Sequence, residues 1–120
     1  MPSTKWGNMK AKCGTPVIRL TAADSTALEI PNKGGSFIVN AASAVTVPSL
    51  KAALRPGRVV TLIAAADTAG TIAITDTAYA STAEGLVHLT AALTLDKTSS
   101  VTLRQNSNGS WSEVDRAVID

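Results

Sequence analysis

Short runs in which apolar and polar residues alternate recur along most of this chain, and residues typical of turns separate them. Alternation with a period of two is the pattern of a β-strand that buries one face. The runs start about 8–12 residues apart, a spacing typical of an all-β sandwich or barrel. The predicted strands are residues 17–20, 28–30, 36–40, 44–47, 58–63, 71–75, 86–89, 93–95, 100–105 and 110–114.

One hairpin and one short helical turn stand out in this pattern. Asn108-Gly109 separates the last two predicted strands, and Asn-Gly is the strongest short-range hairpin signal. Residues 49–54 have helical spacing, and Pro56 limits that helix to about 1.5 turns. The sequence therefore predicts one all-β domain over residues 16–120, an antiparallel sandwich, a jelly-roll-like fold or a small barrel.

A threonine between two aliphatic residues recurs within residues 44–47, 59–62, 93–95 and 101–103. These triplets indicate strands with one aliphatic face and one face of threonine or alanine. Their gaps along the chain are irregular, so they do not predict a solenoid with a fixed repeat.

The first 15 residues have neither a helical nor a strand period, and glycine and proline interrupt them. Lys5, Lys10 and Lys12 give this segment positive charge without any acidic residue. Trp6 is its one large side chain, and tryptophan is enriched at interface hot spots. We therefore predict an extended basic N-terminal arm over residues 1–15, whose Lys5, Trp6, Lys10 and Lys12 contact a neighbouring subunit or another binding partner.

Composition indicates that much of the surface is not ordinary solvated surface. Charged residues make up 17% of the 120 residues, below the usual ~25%, and hydrophobic residues reach 45%. The formal charge of +2 is too small to imply a nucleic-acid partner, and the body has few aromatic rings for stacking bases. No apolar run approaches the ~20 residues of a membrane helix. We expect no nucleic-acid partner and no membrane partner.

Residue types that perform catalysis or bind metals are scarce. The chain has one histidine, His88, and one cysteine, Cys13. Metal sites and nucleophilic catalysis both need such residues to converge with partners. His88 has no nucleophile motif around it, and we expect it at the surface or an interface. The sequence therefore predicts no catalytic residue, no metal and no cofactor, and a protein that is not an enzyme.

Two positions outside the arm are candidates for special roles. Trp111, directly after the predicted Asn-Gly turn, is expected to be the structural anchor of a core with few aromatic residues. The loop over residues 76–85 holds Tyr79 with Asp76 and Glu84. An exposed ring beside carboxylates suits a sugar, so these three residues are the candidate receptor contact.

Five stretches of the second half are similar in pattern to a known class of small β domains: Val59-Val-Thr-Leu-Ile, Ile72-Ala-Ile, Leu93-Thr-Leu, Ser100-Val-Thr-Leu-Arg-Gln and Asn108-Gly-Ser-Trp-Ser-Glu-Val. Through them, residues 36–116 resemble small β domains of tailed-bacteriophage virions, namely capsid decoration (cement) proteins and β-rich pieces of tail fibres. The closing hairpin resembles the last hairpin of such domains, in which a tryptophan closes the end of the barrel. Virion proteins often use arms to bind their neighbours, so the resemblance implies that Lys5, Trp6, Lys10 and Lys12 contact the capsid or a neighbouring subunit.

The resemblance implies a structural virion protein that binds the outer capsid surface and stabilises contacts between capsomers. Its expected partners are the major capsid protein and copies of itself, and its expected location is the virion after synthesis in the host cytoplasm. Association is common for small domains with thin cores, and a trimer is favoured over a dimer. The alternative is a receptor- or glycan-binding module of a tail fibre, in which the loop with Tyr79 makes the contact.

Overall fold

The computed structural model describes residues 15–20, 27–77 and 84–118 of the chain, and within them it is all-β, with no helix. The strands are short, as the alternating runs predict. They are β1 (Val17–Leu20), β2 (Leu28–Glu29), β3 (Ser36–Ala41), β4 (Val45–Val47), β5 (Leu50–Lys51), β6 (Val59–Ala64), β7 (Ile72–Ile74), β8 (Val87–His88), β9 (Leu93–Leu95), β10 (Ser100–Gln105) and β11 (Trp111–Ala117).

The described strands form three sheets, and the chain returns to the large sheet after passing through one or both of the smaller sheets. The large sheet has six strands in the order β1-β3-β6-β10-β11-β8. The three-stranded sheet has the order β4-β7-β9, and the two-stranded sheet pairs β2 with β5. From β3 the chain enters the three-stranded sheet at β4 and the two-stranded sheet at β5, and it then returns to the large sheet at β6.

Strands that follow one another by a full round are parallel neighbours. The parallel pairs are β1 with β3, β3 with β6, β2 with β5, β4 with β7, and β8 with β11. This path, in which each round stacks on the one before, is that of a β-solenoid. The last rounds reverse, because β9 and β10 run antiparallel to β7 and β6, and β11 folds back on β10.

The predicted all-β class is thus present, but a β-solenoid describes it better than an antiparallel sandwich, a jelly roll or a small barrel. Alternation of apolar and polar residues is the same in parallel and antiparallel strands, so it could not distinguish them. The number of residues between stacked partners along the chain also differs from one round to the next, since Val17 lies beside Ile38 whereas Val45 lies beside Ile72. Loops of different length account for this difference, so the sequence shows no regular repeat.

The threonine-centred triplets are nevertheless the stacked units of the fold. Thr61 and Thr102 are direct partners in β6 and β10, and their hydroxyls are 3.0 Å apart. Thr46 and Thr94 lie on the two outer strands of the three-stranded sheet, on either side of Ala73. The irregular gaps between these triplets argue only against a solenoid with a fixed repeat, and the stacking here requires matching strand faces, not equal gaps along the chain.

The helical turn predicted over residues 49–54 is also wrong, since Leu50 and Lys51 form β5. Leu50 pairs with Leu28 on one side, and its N–H donates to the Gly85 carbonyl oxygen at 2.8 Å on the other. Its side chain is buried. Backbone partners on both sides satisfy more polar groups than one isolated helical turn would.

The core is one continuous aliphatic cluster enclosed by the three sheets. Alternate residues of each strand point into it, as in β3, where Phe37, Val39 and Ala41 are buried. Each fully buried aliphatic or aromatic side chain contributes about 1.5–3 kcal/mol. Because stacked strands repeat the same inward positions, similar side chains lie against one another from round to round.

The predicted Asn-Gly hairpin is confirmed. β10 and β11 pair antiparallel, and the turn between them is closed by a hydrogen bond from the Gly109 N–H to the Asn106 carbonyl oxygen at 3.0 Å. Gly109 has a φ of 89°, a backbone conformation that glycine adopts without strain. The register shifts between Thr102 and Leu103, which leaves Val114 as the extra residue of a β-bulge.

Candidate functional site

The N-terminal candidates cannot be placed in the fold. Lys5, Trp6, Lys10 and Lys12 lie outside the described residues, and so does Tyr79 of the candidate receptor loop. Their roles therefore stay predictions from the sequence.

Trp111 is fully buried and is the largest of the fully buried side chains. It begins β11, where it lies between Gln105 of β10 and Val87 of β8. Its N–H donates to the Leu86 carbonyl oxygen at 2.8 Å, which fixes the strand at the end of the stack. The indole N–H has no hydrogen-bond acceptor among the described residues. Burial agrees with a structural anchor, and the size of its contribution to stability stays a prediction.

Asp76 and Glu84, the two described members of the receptor loop, have separate surroundings. The Asp76 carboxylate accepts a hydrogen bond from the Leu89 N–H at 2.9 Å. The Glu84 side chain lies so close to Gly109 that a Cβ there would come within 2.7 Å of its Cγ. No hydrogen bond or ion pair joins Asp76 to Glu84 in the described part of the chain, so their roles as a joint contact are not supported by geometry.

Glu84 does line an open cleft of about 520 Å³ beside the two-stranded sheet. Glu29 and Lys51 contribute its charged groups, and they form an exposed ion pair at 3.8 Å. Exposed pairs of this kind contribute little to stability. The remaining lining residues are Ile30, Pro31, Asn32, Ala52 and Ala53.

His88 is buried, with 7% of its surface exposed, and the prediction of a surface or interface histidine is wrong. Its Nδ1 lies 2.8 Å from the Thr77 carbonyl oxygen. Both residues of β8 are buried because β11 covers one side of this strand and the end of the solenoid encloses it. Alternation could not show this, since a two-residue strand has no measurable period.

A charged pair that the sequence analysis missed holds the closing end of the solenoid together. Arg116 donates through Nε to Glu113 Oε2 at 2.7 Å and through Nη2 to Oε1 at 2.6 Å. Glu113 also accepts from the N–H and the hydroxyl of Thr90, at 3.0 and 3.1 Å. Arg116 donates further to the carbonyl oxygens of Ala91 and Ala92. We call this group the closing latch.

Hydrogen bonds within the closing latch shift the pKa values of both of its charged side chains. The Glu113 side chain is only 5% exposed. Hydrogen bonds from Arg116, and lesser ones from Thr90, lower the pKa of Glu113 to about 2, although burial opposes that shift. The same hydrogen bond raises the pKa of Arg116. Both groups therefore stay charged at neutral pH, and the pair joins β11 to the loop over residues 89–92.

The arginines near the predicted turn are occupied by backbone contacts. Arg55 donates to the Asn32 carbonyl oxygen, and Arg58 donates to those of Pro31 and Gly34. Burial, with the nearby charge of Arg55, lowers the pKa of Arg58. These arginines bind the turn before β3 and are not arranged as a free basic groove.

The outer face of the large sheet carries a group of apolar side chains that meets solvent. The strand registers place Val17 beside Ile38, and Ile38 beside Ile63. Val17 is 46% exposed and the two isoleucines are half-buried. Val59, 48% exposed, lies on the same face of β6, with Thr61 between it and Ile63. We call Val17, Ile38, Val59 and Ile63 the apolar patch.

The outer faces of the other two sheets differ in chemistry. The three-stranded sheet presents the aligned row Thr46, Ala73 and Thr94. The two-stranded sheet presents the exposed Glu29–Lys51 ion pair. Among the described strands, large apolar side chains at half-buried or exposed outward positions are therefore concentrated on the large sheet.

Metal-binding clusters and membrane-spanning helices are both absent from the described residues. These residues contain no group of three or more histidine, cysteine, aspartate or glutamate side chains placed to hold a metal ion. None of their secondary structure is a helix long and apolar enough to span a membrane. Comparison with known proteins found no matching family model, no matching curated protein and no matching solved structure.

Proposed function

We propose that the chain is a structural virion protein: a capsid decoration protein that binds the outer surface of a capsid and stabilises contacts between capsomers, without enzymatic activity. The observation that supports it best is the apolar patch on the outer face of the large sheet. Exposed apolar side chains gathered on one flat face mark an interaction surface. The resemblance of residues 36–116 to virion β domains implies two kinds of partner for such a surface, the major capsid protein and copies of the chain itself.

The architecture also suits a protein with a structural role, which connects other subunits and performs no reaction. Stacked strands favour a stiff unit, because successive rounds are hydrogen-bonded to each other through the six-stranded and three-stranded sheets, and two of them also through the pair β2-β5. Threonine and alanine on the outer positions present short side chains, which lose little conformational entropy when a partner covers them. A stiff unit with flat faces can connect neighbouring capsomers without itself rearranging.

The basic arm is the proposed second contact with the capsid. Its three lysines, Lys5, Lys10 and Lys12, suit an acidic groove, and Trp6 supplies the anchor. Reversing the three charges should weaken attachment and reduce its dependence on salt, because the screened ion pairs have been removed.

The test uses virions of the phage whose genome encodes the chain. Antibody raised against the purified chain is applied to intact virions for immunogold electron microscopy. Labels over the head support the proposal. Labels confined to tail fibres support the alternative, and unlabelled virions contradict both. Capsids lacking the chain should then lose DNA at a lower temperature, and adding the purified chain should restore the wild-type value.

The alternative is a receptor- or glycan-binding module of a tail fibre, and the cleft beside Glu84 is the observation that favours it. Carboxylates next to apolar lining residues are groups that a sugar can contact through its hydroxyls and its C–H face. A glycan array probed with the wild type, Glu84→Gln and Tyr79→Ala tests it. Binding by the wild type that both variants lose supports the tail-fibre role, and a silent wild type contradicts it.

A further inference from the structure

We propose that the apolar patch is covered by the same face of a second copy of this chain, in a two-fold contact. Val17, Ile38 and Ile63 form an unbroken row across three strands, with Val59 beside them. A two-fold contact needs a patch that complements itself, since each residue meets its partners in both directions. Apolar side chains can pack against copies of themselves without directional partners, so the apolar patch satisfies this requirement.

The hydrogen bonding on this face favours contact with protein over contact with water. Thr61 and Thr102 lie in the middle of the face, and their hydroxyls are 3.0 Å apart and bond to each other. Each hydroxyl therefore loses fewer hydrogen bonds to water when it is buried than an unpaired hydroxyl would. Burying polar groups without hydrogen-bond partners is the usual cost of covering a strand surface, and that cost is lower on this part of the face.

Two charges on the same face make it complementary to a copy of itself. Arg104 is a partner of Val59 across β10 and β6, and Asp115 is a partner of Thr102 across β11 and β10. Both are exposed, and neither forms an ion pair or hydrogen bond among the described residues. In a two-fold contact, Arg104 of one copy can face Asp115 of the other, and the pair occurs twice.

The chain's own N-terminal segment is a less suitable occupant than a second copy on grounds of charge. Residues 1–14 contain three lysines and no acidic residue. This segment therefore offers cations to Asp115 but no carboxylate to Arg104. A second copy offers a partner of opposite charge to both.

The contact does not depend on the virion role, because it is a property of the purified chain. It replaces the trimer expected from the sequence with a dimer. The experiment measures mass by sedimentation velocity over a range of concentrations, with the full-length chain. The expected wild-type result is a concentration-dependent equilibrium between one and two chains.

Ile63→Lys is the first variant, and Ala73→Lys is its matched control. Both positions are outward-facing and half-buried on a middle strand, but Ala73 lies in the three-stranded sheet. Ile63→Lys should weaken association at least about tenfold, while Ala73→Lys should associate like the wild type. Equal association of the two variants overturns the proposal.

A charge exchange keeps the test decisive if Ile63→Lys fails to fold. Arg104→Asp and Asp115→Arg should each weaken association, and the double variant should restore it. A double variant no better than the single ones overturns the proposed pairing. A wild type that stays monomeric, or that has the mass of three chains, overturns the two-fold contact, as does a dimer that forms only after residues 1–14 are removed.

Discussion

The stacked rounds and the closing end of this solenoid are held together by different kinds of interaction. In the rounds, inward aliphatic side chains such as Val39, Leu62 and Leu103 are fully or almost fully buried. At the closing end, where β8 and the loop over residues 89–92 meet β11, side-chain hydrogen bonds are added to the buried Val87 and Trp111. The Glu113–Arg116 pair alone joins β11 to the backbone of that loop at Thr90, Ala91 and Ala92.

The difference follows from what each region has for a neighbour. Within the stack, every strand lies beside another strand, so backbone N–H and C=O groups are satisfied by ladders and the side chains need only fill space. At the end of the stack no further round follows, and the exposed backbone must find partners elsewhere. A repeating aliphatic pattern therefore suffices inside, but the end requires individual polar residues in fixed positions.

The largest effect is expected at Trp111, the largest fully buried side chain, which lies at the closing end. Trp111→Ala removes a fully buried indole, and we expect a loss of about 3–5 kcal/mol in the free energy of unfolding. Chemical denaturation measures it. Val114→Ala, at an exposed position on the same strand, should change stability by less than about 0.5 kcal/mol. Similar midpoints for the two variants would mean that the closing end has no apolar anchor.

Gly70 tests how tightly two rounds approach each other. A Cβ at this position would lie 2.1 Å from the Ser43 carbonyl carbon, and backbone cannot move aside as a side chain can. Gly70→Ala should therefore cost about 3 kcal/mol. Gly35→Ala is the control, because its nearest neighbour, the Val59 carbonyl oxygen, is at an ordinary 3.4 Å. If both variants melt like the wild type, the rounds do not stack at this distance.

Glu113→Gln tests the closing latch, and we expect a loss of about 2 kcal/mol at pH 7, typical of a hydrogen bond to a charged group. Folding lowers the pKa of Glu113 from 4.5 to about 2, so the ionised form is the one that stabilises the fold. That stabilisation is complete above pH about 4.5 and is lost as the pH falls toward about 2.

Denaturation midpoints of the wild type and Glu113→Gln should therefore converge in acid. Glu29→Gln, at an exposed carboxylate, is the control and should match the wild type across this range. A difference between wild type and Glu113→Gln that stays constant with pH would contradict an ionic latch.

The smallest effect is expected at Thr98, in the turn that leads into β10. Its φ of 64° is left-handed, a conformation that a β-branched residue rarely adopts. Thr98→Asn should raise the free energy of unfolding by about 0.5–1 kcal/mol, because asparagine tolerates this conformation better. The equivalent change at Thr94, an exposed strand position, should not stabilise. A destabilised Thr98→Asn would show that the threonine side chain contributes more than the strain costs.

The sequence predicted the strands well because side-chain alternation is a local property. The central residues of β3, β6, β7, β9 and β10 all lie within the predicted strands. It did not predict which strands lie side by side. Val17 and Ile38 stack with a different offset from Val45 and Ile72, and only the intervening loops determine those offsets.

The polar contacts of the closing end were harder to predict for a related reason. Glu113 and Arg116 are three residues apart on a strand, where a regular pleat would place them on opposite faces. The β-bulge at Val114 brings both side chains to one side. His88 was misplaced because its burial depends on β11, which lies far along the chain. The Asn-Gly turn, by contrast, is specified by adjacent residues and was predicted correctly.

The strand order of the three-stranded sheet is the feature on which the stacked arrangement most directly depends, and cysteine pairs can measure it. In a Cys13→Ser background, Thr46→Cys with Ala73→Cys places two cysteines at paired positions of neighbouring strands, whose backbones are about 4.8 Å apart, within the Cα–Cα range of a disulfide. Thr46→Cys with Thr94→Cys places the two cysteines two strands apart, with about 10 Å between their backbones, which is beyond that range. After mild oxidation of dilute protein, non-reducing electrophoresis should show an intramolecular disulfide in the first pair and none in the second. A disulfide in the second pair but not the first would contradict the solenoid.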